Sequence, residues 1–188
     1  MARKPMYEGG TEKKFVEEAT KLFFNQGYEG TSIRGICKEV KCEVGLFYYY
    51  YKSKDELFDI CLEEFFIPYK AKFQGAVDEA KATPENALAI FFDCLKAVTR
   101  EFRDKYAPNM HRGTRLAIRE YTLTAIEPYI AQIIEFLKGG NVNAVVDDKL
   151  ASVILAHGVG GVILHEDSDW VDASTEGIQK IINLIMGV

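Results

Sequence analysis

The sequence predicts an all-α fold of about nine helices. Apolar residues recur three and four positions apart along the 188-residue chain, which is the period of an amphipathic helix. No stretch shows the strict alternation of a half-buried strand. Capping residues (Ser, Thr, Asp) and terminating residues (Gly, Pro) divide the pattern into separate segments. Together these observations favour helices packed on helices over a β or mixed fold.

The first two predicted helices are marked by their caps and their apolar stripes. A first helix covers about residues 11–26 and ends near Gly27, a residue suited to a left-handed cap. Either Thr31 or Ser32 can cap a second helix over about residues 32–40. The stripes consist of Phe15, Ala19, Leu22 and Phe23, and of Ile33, Ile36, Cys37 and Val40.

A third, shorter helix is predicted over about residues 43–50. Phe47 and Tyr51 can point into a small core, together with Cys42 just before the helix. The opposite side then carries Glu43, Val44, Leu46, Tyr48 and Tyr49. Two short helices joined by a tight connection, the second with an exposed face, are the layout of a helix-turn-helix. This motif places its second helix in the major groove of DNA.

A fourth helix begins immediately after this unit. Ser53 can cap it, and Glu56 three residues later completes a capping box. Lys52 and Lys54 flank the start of this helix. Because the positive end of the helix dipole adds to the charge of the two lysines, this start is a suitable seat for a DNA phosphate.

Taken in order, these pieces resemble the DNA-binding domain of the TetR family of bacterial transcriptional regulators. The resemblance covers residues 12–58. It is carried by the run FVEEATKLFFNQGYEGTSIRGI, the glycine at position 45, the four tyrosines at 48–51 and the closing KSKDELF. Several motifs in a fixed order and spacing are more specific than one short motif.

The resemblance implies which side chains contact DNA. Base or phosphate contacts are expected from Thr31, Arg34, Glu43, Val44, Leu46, Tyr48, Tyr49, Lys52 and Lys54. The alternative is that the charged residues are ordinary solvated side chains and that the tyrosines only pack.

The chain departs from the family pattern in and after the turn. Lys41-Cys42-Glu43 stands where the family usually has glycine, an aliphatic residue and serine. Val44 and Leu46 stand where the family usually has polar, basic or hydroxyl residues, so the reading face is expected to be unusually apolar. Glu43 can accept a hydrogen bond from cytosine N4, and Leu46 can contact a thymine methyl group.

Charge divides the chain in the same region. Residues 1–54 contain ten Lys or Arg and seven Asp or Glu, a net charge of +3. The remainder contains 13 and 21, a net charge of −8, and the whole chain has −5. Because an acidic protein is repelled from DNA at long range, the basic surface must act locally and affinity should fall with salt. Arg3 and Lys4 form either a disordered tail or a minor-groove arm.

Several other classes of protein are not indicated by the sequence. No apolar run reaches the length of a membrane span, and the first residues do not resemble a secretory signal. The four cysteines and three histidines are scattered, so we expect a cytoplasmic protein with reduced thiols, no metal and no cofactor. A redox-sensing pair of Cys37 and Cys42 is a further hypothesis. No convergent acid, base or metal-ligand set indicates an enzyme.

The rest of the chain is also predicted to be helical. Pro68 is expected to break or kink the fourth helix, and Thr83-Pro84-Glu85 and Pro108 mark further boundaries. Helices are expected over about residues 69–82, 85–106, 113–124, 127–138, 147–164 and 174–186. We place a helix-turn-helix domain over residues 1–58 and a helical domain over residues 59–188.

The resemblance implies that the last two helices pair with those of a second copy in a four-helix interface. The residues expected there are Ala156, Gly158, Gly160, Gly161, Ile178, Ile181, Ile182 and Ile185. Glycine lowers helix stability, so glycines in this segment favour close backbone approach. The alternative is an internal core in which the glycines form a kink.

The resemblance also implies a small-molecule effector site among the middle helices. The residues expected to line it are Phe91, Cys94, Val98, Phe102, Met110, His111, Arg115 and Tyr121. His111 and Arg115 are four residues apart and could bind an anionic ligand or remain solvated. Most aromatic and aliphatic residues at helical spacing belong to the core.

These expectations combine into a ligand-responsive transcriptional regulator. A homodimer would bind a pseudo-palindromic operator in double-stranded DNA, and a small-molecule effector would release it, so repression is the expected mode. The alternative is a helical sensor or interaction protein whose DNA-reading helix is weakened or lost.

Overall fold

The computed structural model describes residues 10–140, 142 and 144–187, and all regular structure within these ranges is helical. Arg3 and Lys4 lie outside the described residues. The predicted all-α fold is therefore confirmed for the part of the chain that the structure describes.

The helices are numbered here in chain order. The first six are α1 (Gly10–Gly30), α2 (Ile33–Val40), α3 (Val44–Tyr50), α4 (Lys54–Ala82), α5 (Ala87–Lys105) and α6 (Arg112–Gly139). Helix α7 runs from Asp148–Ile154 through a π-helical turn at Leu155–Val159 into Gly160–Ile163. The last two are α8 (Ser168–Ala173) and α9 (Thr175–Met186), and 3₁₀ turns lie at Pro84–Asn86 and Ala107–Asn109.

Two prolines lie inside long helices, where the sequence predicts shorter ones and Pro68 as a break or kink. Helix α4 continues through Pro68 and α6 continues through Pro128, so the separate helices predicted on either side are wrong. A proline removes its own hydrogen bond, but packing can offset that loss. Buried side chains lie close to both prolines, namely Phe66, Tyr69, Ile126 and Ile130. Helix α8 was missed because it is only six residues long.

The chain forms two compact units. The first contains the chain up to Ile67 together with Tyr106–Ile118, and the second contains Pro68–Lys105 and the chain from Arg119 onward. This division differs from the one predicted after residue 58. Because residues of the 106–118 segment hydrogen-bond to α1, that segment belongs with the N-terminal helices.

The first unit is built around a buried aromatic cluster. Phe15 lies with its ring centroid 5.9 Å from that of Phe47 and 5.7 Å from that of Tyr51, in edge-to-face contacts. The Tyr51 hydroxyl donates to the Glu12 carbonyl at 3.2 Å, and burial raises the pKa of Tyr51. As predicted, Phe47 and Tyr51 therefore face the core and fix the orientation of α3.

Local backbone chemistry sets the ends of α1 and α2. Gly27 has φ 81° and kinks α1 before its last turn, as its position in the sequence predicts. Ser32, rather than Thr31, caps α2 by accepting from the Gly35 amide at 3.0 Å. Lys41 ends α2 with φ 64° and ψ 52°, and the Cys42 amide donates to the Cys37 carbonyl at 2.9 Å.

The second unit has its own core. Phe73, Phe91 and the half-buried Tyr129 form an aromatic group, with Phe91 and Tyr129 stacked at 6.3 Å. A Cβ built on Gly160 would lie 2.9 Å from Ile126 Cδ1, so a glycine is needed where α7 approaches α6.

No helix within the residues that the structure describes is long and apolar enough to cross a membrane.

Replacing Lys41 by glycine should stabilise the protein. A non-glycine residue with a left-handed backbone carries a steric cost, and glycine removes this cost. Part of the gain is offset because glycine loses more conformational entropy than other residues when the chain folds. We expect Lys41→Gly to raise the free energy of unfolding by about 0.5–1 kcal/mol in urea titrations. Lys38→Gly, the same change at a right-handed helical position, should lower it by about 1 kcal/mol. A loss of stability in Lys41→Gly would contradict the assigned strain.

Candidate nucleic-acid interface

Helix α3 presents a small exposed surface opposite its buried side. Phe47 is fully buried, whereas Tyr48 is 58% exposed and Tyr49 is 68% exposed. Glu43, which precedes the helix, and Gly45 in its first turn are also exposed. We call these four residues, Glu43, Gly45, Tyr48 and Tyr49, the reading surface. A short helix anchored on one side and exposed on the other has the geometry that major-groove reading requires.

Val44 and Leu46 do not belong to the outermost part of this surface. Both are partly buried and pack against the core cluster of the first unit. The expectation of an unusually apolar reading face is therefore corrected, because the two aliphatic side chains contribute to packing. The exposed positions of α3 carry a carboxylate, a glycine and two phenol groups instead.

Four exposed cations lie on the segments adjoining the reading surface. They are Arg34, Lys38, Lys41 and Lys52. Within the described ranges their side chains take part in no hydrogen bond or ion pair. Solvated, unpaired Lys and Arg side chains next to a helix-turn-helix are suited to phosphate oxygens.

Lys54, by contrast, is bonded within the protein. Its ammonium group donates to the Tyr28 carbonyl at 2.8 Å and to the Thr31 carbonyl at 2.9 Å, and it lies 3.9 Å from the centre of the Tyr28 ring. The Tyr28 hydroxyl donates to Asp55, and burial together with that carboxylate raises the pKa of Tyr28 to about 12. Lys54 is therefore a structural residue that ties the start of α4 to the end of α1.

Thr31 is also occupied internally. Its side chain is 1% exposed, and its hydroxyl donates to the Gly27 carbonyl at 2.7 Å. We therefore remove the Thr31 side chain from the expected DNA contacts. The hydroxyl satisfies a carbonyl that the kink in α1 leaves without a helical partner.

The start of α4 is less open to a phosphate than its sequence indicated. The Glu56 amide donates to Ser53 Oγ at 3.1 Å, as the predicted capping box requires. The Glu56 carboxylate accepts from the Lys52 amide, one residue before the expected partner. A carboxylate at this place competes with a phosphate for the amides and the positive field.

The residues of 106–118 that were assigned to an effector site hold the first unit together instead. The His111 amide donates to the Phe24 carbonyl at 2.6 Å, and its ring occupies the space above Gly27, where a Cβ would lie 2.3 Å from Nδ1. Thr114 Oγ1 donates to the Phe23 carbonyl at 2.5 Å. Arg115 donates to two carbonyls of its own segment, those of Ala107 and Met110. His111, Arg115 and the buried Met110 are therefore corrected to structural roles.

The second unit contains a groove of about 470 Å³ between α4 and α5. Of the residues expected to line an effector site, Cys94 and Val98 border this groove. Phe91 is fully buried, and Tyr121 lies with its ring 5.7 Å from the Lys70 ammonium. The other lining residues are Lys72, Gly75, Ala76, Glu79, Ala97 and Glu101, with an ion pair between Lys72 and Glu101. The small residues Gly75, Ala76 and Ala97 are the sequence feature that could have indicated this groove.

The last helices expose only part of the residues expected in a dimer interface. Ala156, Gly160, Ile178 and Ile182 are buried in the second unit, so these four positions are corrected to the internal core. Gly158 and Ile181 are exposed, and Gly161 and Ile185 are half-buried. Four further apolar residues on α7 and α9 belong with the exposed set: Leu150, Ile154, Leu184 and, in part, Val153. The outward positions of these helices therefore include some of the expected residues and several that were not expected.

The environment of Cys37 does not favour a reactive thiolate. Cys37 is buried, and burial followed by the neighbouring Cys42 raises the pKa of Cys37 to about 11. Because the thiolate is the nucleophile, a protonated Cys37 reacts slowly with oxidants. Among the described residues no group of three or more His, Cys, Asp or Glu side chains could hold a metal ion.

Sequence comparison agrees with this geometry. The model of the family described as "Bacterial regulatory proteins, tetR family" matches residues 15–61. YttP of Bacillus subtilis (strain 168), a "Probable HTH-type transcriptional regulator", is 31% identical over 115 residues, which cover 60% of this chain and 51% of that protein. The "HTH-type transcriptional repressor DhaR" of Mycobacterium sp. (strain GP1) is 26% identical over 50% of this chain and 46% of that protein. The chain thus spans about half the length of these curated relatives.

Solved structures show the same fold over nearly the whole chain. A TetR-family regulator from Streptomyces coelicolor A3 has a TM-score of 0.60 with 17% identity, covering 100% of both chains. RolR, solved with the ligand resorcinol, has a TM-score of 0.62 with 16% identity, covering 95% of this chain and 90% of that one. The family model matches residues 15–61, so this part of the chain is similar to the tetR family of bacterial regulatory proteins. This is a family of regulators and not of enzymes, as the sequence predicts.

Substitution of Lys54 should lower the stability of the protein, whereas substitution of the nearby Lys52 should mainly weaken DNA binding. Lys54→Met removes the hydrogen bonds of the ammonium group to the Tyr28 and Thr31 carbonyls, of which only the Tyr28 carbonyl also accepts from a described backbone amide, that of Thr31, and it should lower the free energy of unfolding by about 1–3 kcal/mol. Lys52→Met, the matched change at an exposed position, should alter it by less than about 0.5 kcal/mol while weakening DNA binding. Urea titration and fluorescence anisotropy measure the two effects. Equal stability of both variants would contradict the structural role of Lys54.

Proposed function

We propose that the protein is a transcriptional regulator whose homodimer binds a pseudo-palindromic operator in double-stranded DNA. The observation that carries this proposal is the outward reading surface of α3, with four unpaired cations beside it and with Tyr48 and Tyr49 mostly exposed. Two such surfaces about 34–36 Å apart would enter successive major grooves. Because its target is a DNA operator, we place its action in the cytoplasm.

An apolar surface on α7 and α9 supports the dimer. Leu150 and Ile154 lie one helical turn apart on α7, and Ile181 and Leu184 lie three residues apart on α9. All four are exposed, Leu184 to 73%. Gly158 and Gly177 are exposed in the same two helices, and a Cβ built on either meets nothing within 4 Å outside its own helix among the described residues. Exposed aliphatic residues with glycines beside them suit the close packing of a second copy.

We further propose that a small molecule releases the dimer from DNA, so that the protein represses until its effector binds. RolR was solved with resorcinol, and FadR of Bacillus subtilis, which has a TM-score of 0.51 and 17% identity, was solved with stearoyl-CoA. In this chain the groove bordered by Cys94 and Val98 is the candidate location. An effector that prefers one conformation of the dimer would lower the population that fits the operator.

The alternative is a sensor or interaction protein with a weakened reading head. The observation that favours it is the carboxylate of Glu43 on the reading surface, because a carboxylate is repelled by phosphates. The two functions differ in whether the protein selects a DNA sequence.

Selection from a random duplex library tests the proposed function. We expect the purified protein to enrich a two-fold symmetric sequence with half-sites about one helical turn apart. The affinity for that duplex should fall by at least about 10³-fold between 50 and 200 mM salt, because several phosphate contacts release counterions. Enrichment of no sequence would contradict the proposal and support the alternative.

A charge placed on the apolar surface of α7 and α9 should weaken dimer formation and, with it, operator binding. Leu184→Glu would place like charges across a two-fold interface, and we expect the dimer dissociation constant to rise by at least about tenfold. Sedimentation velocity measures the dimer, and anisotropy measures the loss of operator affinity. Leu116→Glu changes a residue that is 54% exposed in the first unit and should leave the dimer intact. A Leu184→Glu variant that remains dimeric would contradict this assignment.

A further inference from the structure

We propose that Glu43 and Gly45 together select a cytosine in each operator half-site. The Glu43 carboxylate would accept a hydrogen bond from cytosine N4, and the absent side chain at Gly45 would let the α3 backbone approach the base pair closely. This inference rests on the proposed DNA-binding function and names the base chemistry that the same surface reads.

The Glu43 carboxylate is free to meet a partner outside the chain. Glu43 occupies the capping position of α3, but its side chain forms no capping hydrogen bond. The side chain is exposed, and it has no hydrogen bond or ion pair with any residue that the structure describes. Serine, threonine and aspartate are preferred at such positions because they bond the helix amides. Glu43 can therefore stabilise α3 only through its charge at the positive end of the helix, and its carboxylate oxygens remain available as acceptors.

An ionised carboxylate can only accept hydrogen bonds, and this limits the bases it can read. In the major groove guanine presents two acceptors, thymine presents an acceptor and a methyl group, and adenine presents a donor beside an acceptor. Cytosine presents its N4 donor alone. A carboxylate therefore gains a bond at cytosine without facing an acceptor on the same base.

Gly45 has no reason within the protein to be glycine. Its φ does not lie in the left-handed region, which among the described glycines is found at Gly27 and Gly187. A Cβ built on Gly45 meets no described atom within 4 Å outside its own helix and chain neighbours. Glycine lowers helix stability relative to alanine. Because neither conformation nor packing requires it, the bare backbone is explained by close approach of the partner that α3 reads.

The surrounding side chains fit this arrangement. Tyr49 lies one turn after Gly45 and is mostly exposed, so its ring can contact sugar or a thymine methyl group beside the base read by Glu43. Lys41 and Lys52 are exposed on either side of α3 in the sequence. Their charges offset the repulsion between the carboxylate and the phosphates without pairing with it.

Exchange of the carboxylate for an amide provides a sharp test. Glutamine prefers adenine, to which it can bond through N6 and N7. Wild-type protein and Glu43→Gln are each used to select from the random duplex library. We expect one symmetric pair of positions to change from cytosine to adenine. At that position the ratio of affinities for cytosine over the other bases should be about 5- to 150-fold lower for the variant than for the wild type. Glu63→Gln, an exposed charge change on α4, should select the wild-type sequence.

Gly45→Ala provides the second test, because stability and binding should move in opposite directions. The midpoint of thermal unfolding should rise by about 2 °C, since alanine is the better helix former. The affinity for the wild-type-selected duplex should fall by at least about tenfold, since the new methyl group holds α3 away from the bases. Gly139→Ala, at an exposed glycine of α6 that also meets nothing within 4 Å, should leave DNA binding unchanged.

The outcomes separate this inference from the proposed function. If the wild-type protein enriches no sequence, the DNA-binding function fails and the inference fails with it. If the wild type enriches an operator that Glu43→Gln selects unchanged, or if Gly45→Ala binds as tightly as the wild type, the function stands and the base assignment is overturned.

Discussion

The contact of Phe47 with Phe15 and Tyr51 is the interaction on which the candidate interface depends. These three rings are almost completely buried, with centroids 5.6–5.9 Å apart, so α3 can present only its opposite side to solvent. A helix of seven residues has little stability of its own. The aromatic contacts therefore supply both the stability of α3 and the direction of the reading surface.

A second constraint acts at the end of α1. The kink at Gly27 releases carbonyls from the helical pattern, and they are bonded by side chains distant in the sequence, among them those of Lys54 and Thr114. The His111 ring fills the space that a side chain at Gly27 would need. Because the partners come from both α4 and the 106–118 segment, the position of the helix-turn-helix relative to these segments of the first unit is set by a few directional bonds and not by apolar burial alone.

The sequence predicted the helices and the buried side of the first unit because periodicity reports burial directly. It predicted less well where one residue type serves two purposes. Lys54 and Thr31 are residue types that commonly contact DNA, yet here their side chains bond backbone carbonyls at the end of α1 and in the connection that follows it. His111 and Arg115 resemble a ligand site at helical spacing, yet their partners lie in α1 and in the preceding turn. On α7 the glycine signal did not separate outward from inward positions, since Gly158 is exposed whereas Gly160 packs against α6.

The most direct test of the account is lysine-selective acetylation of the free protein and of its complex with a selected duplex, read by mass spectrometry. We expect Lys41 and Lys52 to react in the free protein and to be protected by DNA, whereas Lys54 should react slowly in both states because its ammonium group is already bonded. Full reactivity of Lys41 and Lys52 in the specific complex would contradict the claim that the exposed side of α3 and its neighbours contact DNA.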